Sequence, residues 1–144
     1  MNPAEGMVVL QERMVNLVNQ LSMPVLECSL VIGRWTNRMV IQLSKIAQEN
    51  QESLTQLLSQ PWDLDIEPVE TDVEFELDKA LALVDHDRMD ILDTLVKVTI
   101  EEQEIPLADG LLVLRSWEKL VREQLSQVKG PGQLFSPTDI PEDF

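Results

Sequence analysis

The chain has one cysteine, one histidine, five glycines and no tyrosine in its 144 residues. Each shortage removes a class of chemistry. A lone Cys28 excludes an internal disulfide and gives no sign of an oxidising compartment. With His86 as the only imidazole, a Ser or Cys nucleophile has almost no base to pair with. A zinc site built from one Cys and one His would need unusual help from carboxylates. The Glu-x-x-His pairs of di-iron bundles are missing, because Leu83 stands three residues before His86 and no second histidine exists. The glycines at 6, 33, 110, 130 and 132 are scattered and no Gly-Lys-Ser/Thr occurs, so there is no phosphate loop. No catalytic residue, cofactor or metal is therefore expected. Long apolar runs are missing too. The longest uncharged stretch, Met14 to Leu26, is too short to span a membrane and is broken by Asn16, Asn19, Gln20 and Ser22. Met1 is not followed by a basic segment and an apolar run, so the expectation is a cytoplasmic protein without a signal peptide.

Positive charge is scarce, and the negative charge is unevenly placed. The formal net charge is −15. Residues 61–109 hold sixteen carboxylates against Lys79, Arg88 and Lys97, whereas residues 1–60 hold five against four cations. Residues 110–129 return to a small positive excess, with Arg115, Lys119, Arg122 and Lys129 against Glu118 and Glu123. This pattern suggests one sticky, near-neutral face and one solubilising face. It disfavours nucleic acid and anionic membrane as partners, because the phosphate term would be repulsive.

What is abundant is Leu, Val, Ile and Met at helical spacing. Met7, Leu10, Met14, Leu17 and Leu21 predict a first helix. Ser22 and Pro24 then suggest a new start, since Ser caps and Pro is tolerated in a first turn. A second helix is expected from about 24 to 59, with the stripe Ile32, Trp35, Met39, Leu43, Ile46, Asn50, Leu54 and Leu57, roughly 50 Å long. Gly33 within it would allow a bend or the close approach of another backbone. Pro61 to Glu70 reads as an acidic, Pro-containing linker. Thr71-Asp-Val-Glu74 matches a capping box opening a third helix through Phe75, Leu77, Ala80, Leu81 and Val84. Asp85-His86-Asp87 either separates that helix from the next or forms a polar stripe on one continuous helix. Pro106 starts a last helix, which Gly130-Pro131-Gly132 stops. The fold expected is all-α: a bundle of four to five helices including one long helix, comprising a single domain over 1–129 and an extended tail over 130–144.

Three local patterns compete with plain structural readings. Asp63, Asp65, Glu67 and Glu74 fall at positions 1, 3, 5 and 12 of a calcium loop, but the required Gly at position 6 is Pro68. His86, flanked by two carboxylates that favour its cation, is a candidate pH-responsive element or simply a solvated junction. Trp35 with Arg34 and Arg38 could bind an acidic peptide or stack against the chain's own acidic third helix.

The tail mixes apolar anchors with carboxylates. Asp139-Ile140-Pro141 closing on Phe144 resembles the acidic tip of bacterial single-stranded-DNA-binding proteins, which ends in Asp-Ile-Pro-Phe; here Glu142 and Asp143 are inserted. Gln133-Leu134-Phe135 is similar to a shortened sliding-clamp peptide. Both resemblances imply a segment that docks into a partner's pocket. The whole composition is similar to that of small acidic helical secretion and assembly chaperones.

The expected function is a non-enzymatic protein-binding module, whether adaptor, assembly factor or chaperone-like subunit, forming a homodimer or hetero-complex. Its contact residues would be Met14, Leu17, Leu21, Trp35, Met39, Leu43, Ile46, Leu134, Phe135 and Phe144. The alternative is a DNA-mimic inhibitor presenting Glu74, Asp78, Asp85 and Asp93 as surrogate phosphates.

Overall fold

The structure is a computed structural model in which residues 3–67 and 77–144 are described. It is all-α. Four long helices, α1 (Pro3–Leu21), α2 (Val25–Glu49), α5 (His86–Glu102) and α6 (Leu107–Ser126), form the bundle. Two short ones, α3 (Gln56–Ser59) and α4 (Leu77–Leu81), and a 3-10 turn at Pro131–Phe135 complete the order. No strand occurs among the described residues; one isolated β-bridge joins Pro24 to Pro137. No described helix is long and apolar enough to cross a membrane.

Each long helix buries the stripe its spacing dictates. α1 buries Leu10, Met14 and Val18, and α5 buries Met89, Leu92, Val96 and Thr99. α6 buries a wider face that includes Leu111, Leu114, Trp117 and Val121. At roughly 1.5–3 kcal/mol per fully buried large side chain, this one cluster dominates the favourable side of folding.

The order of helices around the bundle is not the order in the chain. α2 packs mainly on α6 and α1 on α5, while α1–α6 and α2–α5 contacts close the ring. The sequence-adjacent pairs α1/α2 and α5/α6 therefore face each other across the core. Side-chain pairs give the directions. Arg13 of α1 reaches Thr99 and Glu102 of α5 (3.2 and 3.0 Å), near that helix's end. Glu27 and Arg88 join α2 and α5 near their starts, so these two run side by side in the same sense. α2 is eight residues longer than α5, which carries it about 12 Å further. This ring places the acidic α5 between α1 and α2. The expected division into one sticky and one solubilising face is therefore not realised: the two halves of the chain interleave.

Three helices end in the same way. Ser22, Gln51 and Glu104 have positive φ (46°, 58° and 50°). The following N–H returns to a carbonyl five residues back: Met23 to Val18, Glu52 to Ala47 and Ile105 to Ile100. This is the Schellman-type stop, here made without glycine. It ends α2 at Glu49, ten residues before the predicted end. Asn50, predicted on the apolar stripe, is instead the C-cap, its Nδ2 donating to the Ile46 carbonyl at 2.8 Å. Leu54 and Leu57 belong to the return segment that leads into and through α3. Gly33 has only open space where a Cβ would stand, so no backbone approaches it.

The 85–87 junction is a true break. Asp85 is the N-cap of α5, its Oδ1 accepting from the Asp87 and Arg88 N–H groups (2.9 and 3.2 Å). The capping box Thr71–Glu74 and Phe75 lie outside the described residues.

Candidate functional site

Most of the predicted contact residues belong to the protein's own core. Met14, Met39 and Leu134 are buried. Leu17, Leu21, Trp35, Leu43, Phe135 and Phe144 are partly buried against the same cluster. Only Ile46 is exposed. The α1 and α2 stripes thus supply intramolecular packing. A charge at Leu17 or Leu43 would disturb that packing before it reported on a partner.

The tail is extended, apart from its 3-10 turn, but it is not free. Val25 N–H donates to the Ser136 carbonyl, and the Thr138 N–H and hydroxyl both donate to the Met23 carbonyl, at 2.9, 2.9 and 3.0 Å. Leu134 enters the core. The Phe144 ring meets Trp117 edge-on with centroids 4.9 Å apart. Gln11 ties this corner together: its Oε1 accepts from Trp117 Nε1 (2.6 Å) and its Nε2 donates to a Phe144 carbonyl-type oxygen (3.3 Å). The anchors that suggested a docking peptide are docked on the chain's own helices.

Phe144 also forms one wall of the most apolar cavity among those described. This groove of about 620 Å³ lies between α1, α6 and the α3 segment, lined by Met7, Val8, Leu57, Trp62, Leu112 and Val113. Val8 and Leu57 are each 54% exposed, so the groove opens to solvent. Gln11, Glu12 and Ser116 supply its polar edge. Apolar walls with a few polar groups at the margin suit capture of an apolar side chain.

The wall carrying Leu57 and Trp62 is held by α6. Buried Arg115 donates from Nε and Nη2 to the Leu58 carbonyl (3.2 and 3.0 Å) and from Nη1 to Glu118 (2.8 Å). Arg122 donates to the Trp62 carbonyl at 2.8 Å, and Trp62 Nε1 to the Leu57 carbonyl at 2.9 Å. Lys119 pairs with Asp65, which raises the Lys119 pKa, and Gln127 donates to the Glu67 carbonyl at 2.8 Å. The acidic linker is thus strapped along the one cationic stretch of the sequence. The 4-3 spacing of Arg115, Lys119 and Arg122 beside an acidic segment is the signal that composition alone did not turn into a contact.

The remaining candidates are explained by local structure. Asp65 and Glu67 of the calcium-like pattern make the linker contacts above, and Glu74 lies outside the described residues. Among the described residues no three His, Cys, Asp or Glu groups converge on a common point. Cys28 is buried, and burial pushes its thiol up to about 12 against a smaller opposing effect of the Thr138 hydroxyl, so it stays a protonated, unreactive group. His86 is exposed at the first position of α5, while the carboxylate beside it is engaged by backbone N–H groups and by Arg88 (3.3 Å) rather than by the imidazole. Arg38 stacks over Trp35 at 5.4 Å, and neither it nor Arg34 makes an ion pair among the described residues. Of the four surrogate phosphates, Asp78 is exposed, Asp85 caps α5, Asp93 is half-buried, and Glu74 is not described.

One buried charge was not anticipated. Glu27 is completely buried on α2. Its two oxygens receive Arg88 Nε and Nη2 at 2.8 Å each, and Oε2 also accepts the Asp85 N–H at 3.1 Å. The bidentate pair fixes the start of α5 against α2 and raises the Arg88 pKa. Comparison with known proteins finds no matching family model, no matching curated protein and no matching solved structure, so the reading of this site rests on its own geometry.

Proposed function

We propose that the chain is a non-enzymatic protein-binding module, an adaptor, assembly factor or chaperone-like subunit that receives an apolar segment of another protein. The observation that carries this reading is the open groove between α1, α6 and the α3 segment. It keeps Val8 and Leu57 half in water although the chain has ample apolar surface packed elsewhere. A partner's aromatic or aliphatic side chain beside Phe144 and Trp62 would bury that surface, with Gln11, Glu12 and Ser116 at the margin. The single inert cysteine fits a reducing, cytoplasmic setting.

The test is capture of companions by the tagged chain in its native host, comparing wild type with Val8→Asp and Leu57→Asp. Both positions are exposed enough that folding should change by only about 0.5 kcal/mol or less. A stoichiometric companion held by wild type should be lost by both variants, a weakening of at least about tenfold, or 1.4 kcal/mol. Equal retention by correctly folded variants would remove the groove as the binding surface.

A further inference from the structure

We propose that the chain binds a second copy of itself head to tail, through the exposed face of α2 on one copy and the exposed face of α5 on the other. This is a surface separate from the groove and does not depend on it.

Cations are few here, and most are engaged within the chain. The exceptions are informative. Arg34, Lys45 and Lys97 make no ion pair or hydrogen bond among the described residues, and Arg38 only stacks on Trp35. Three of these four lie on one stripe of α2, spaced 4-3-4 with Ile41: Arg34, Arg38, Ile41, Lys45, all exposed. Residues at these spacings share one helix face. A strongly acidic protein therefore displays three of these four cations in a single band with an exposed isoleucine at its centre.

The complementary band stands on α5. Asp87, Asp90, Ile91, Thr94, Val98 and Glu101 are all exposed, and none of the three carboxylates makes an ion pair among the described residues. Lys97 lies at its edge. The two bands match in length as well as in sign. Arg34 to Lys45 and Asp90 to Glu101 each span eleven positions, about 16 Å along a helix. Each has charge at both ends and apolar side chains between, so Ile41 meets Ile91 or Val98 while the ends pair. The stacking of Arg38 on Trp35 holds that guanidinium in place with its N–H edge free for a carboxylate.

The two bands sit on different helices of one copy. One contact therefore leaves a free band on each copy, and association continues into a ring or chain. The net charge opposes this at long range. At about 10 mM salt the screening length is about 30 Å and whole-molecule repulsion dominates; at about 0.15 M it is about 8 Å and only the contact pairs remain. Association should be weak at the lower ionic strength and strongest near the higher one.

Sedimentation velocity with reversal variants tests this. The weight-average mass of wild type should rise with concentration near 0.15 M salt. The variants Arg38→Glu with Lys45→Glu, and Asp90→Lys with Glu101→Lys, should each stay monomeric while keeping wild-type circular dichroism. Their equimolar mixture should associate again, because each reversed band then meets a reversed partner. Val8→Asp should associate like wild type, which separates failure here from failure of the groove. A wild-type chain that remains monomeric to millimolar concentration overturns the proposal. So does association that survives either reversal, or a mixture that stays monomeric.

Discussion

Replacing Arg88 with alanine removes the only cation that touches the fully buried Glu27 carboxylate among the described residues. Glu27 would keep the Asp85 N–H at 3.1 Å and lose both 2.8 Å bonds from the guanidinium. Stranding one member of a buried pair costs about 3–5 kcal/mol. The Arg88 side chain is 34% exposed, so water can enter where it stood, and the expected loss is near the lower end, about 3 kcal/mol. Against a total of roughly 5–15 kcal/mol the variant should still fold, with its urea midpoint lowered by roughly 1–2 M. The converse change is milder. Glu27→Leu leaves Arg88 partly in water and still beside Asp85 at 3.3 Å, for a cost of about 1 kcal/mol. The double variant Glu27→Leu with Arg88→Met replaces the pair by apolar packing and should be more stable than Arg88→Ala alone. Equilibrium urea unfolding of all of these, with slopes compared, measures each difference. A loss below about 1 kcal/mol for Arg88→Ala, or a double variant less stable than Arg88→Ala, would refute the view that this pair is a desolvated clasp.

Two further outcomes follow from backbone and burial. Gln51 occupies a left-handed position at the end of α2, so Gln51→Gly should stabilise the fold by about 0.5–1 kcal/mol in urea unfolding, and a loss of stability would contradict the stop described there. Cys28 has a thiol raised from 9.0 to about 12 in the folded chain. Above pH 9.0 the unfolded chain releases that proton while the folded one keeps it, so stability falls as pH rises, by up to about 1.4 kcal/mol per unit. Cys28→Ala, at a fixed cost for the cavity, should lose that part of the alkaline slope when unfolding is followed under reductant; parallel curves for the two proteins would contradict it.

The helices were legible because Leu10, Met14 and Val18, or Leu92, Val96 and Thr99, repeat at a spacing only a helix can bury on one side. Their ends were less so. A stop made by Ser22, Gln51 or Glu104 carries none of the glycine that normally marks it, and α2 was extended through Gln51 for that reason. The tail's anchors, Leu134, Phe135 and Phe144, read as apolar residues offered to a partner's pocket, and they pack against the chain's own core instead. Nothing local says that the pocket is formed by the chain's own Trp117 and Met23 region. Apolar periodicity cannot tell a face that packs within the molecule from one offered to a partner; that depends on helix order, which spacing does not encode. The groove was missed for a related reason: Val8, Leu57 and Leu112 come from three separated segments. The Glu27–Arg88 pair, 61 positions apart, left no signal beyond a carboxylate near the start of an apolar helix.

The alternation of helices around the core has a consequence for how the chain reaches its fold. Neither half owns a hydrophobic interior: α1 and α2 meet each other little, and each is completed by a helix some eighty positions downstream. A short helical hairpin cannot serve as a stable early intermediate. Closing these distant pairings first loses chain entropy and only then gains contact, so folding should be slow for an all-helical protein of this size, with a rate closer to that of mixed folds. Fragments holding one half each should be poorly structured apart and gain helix when mixed.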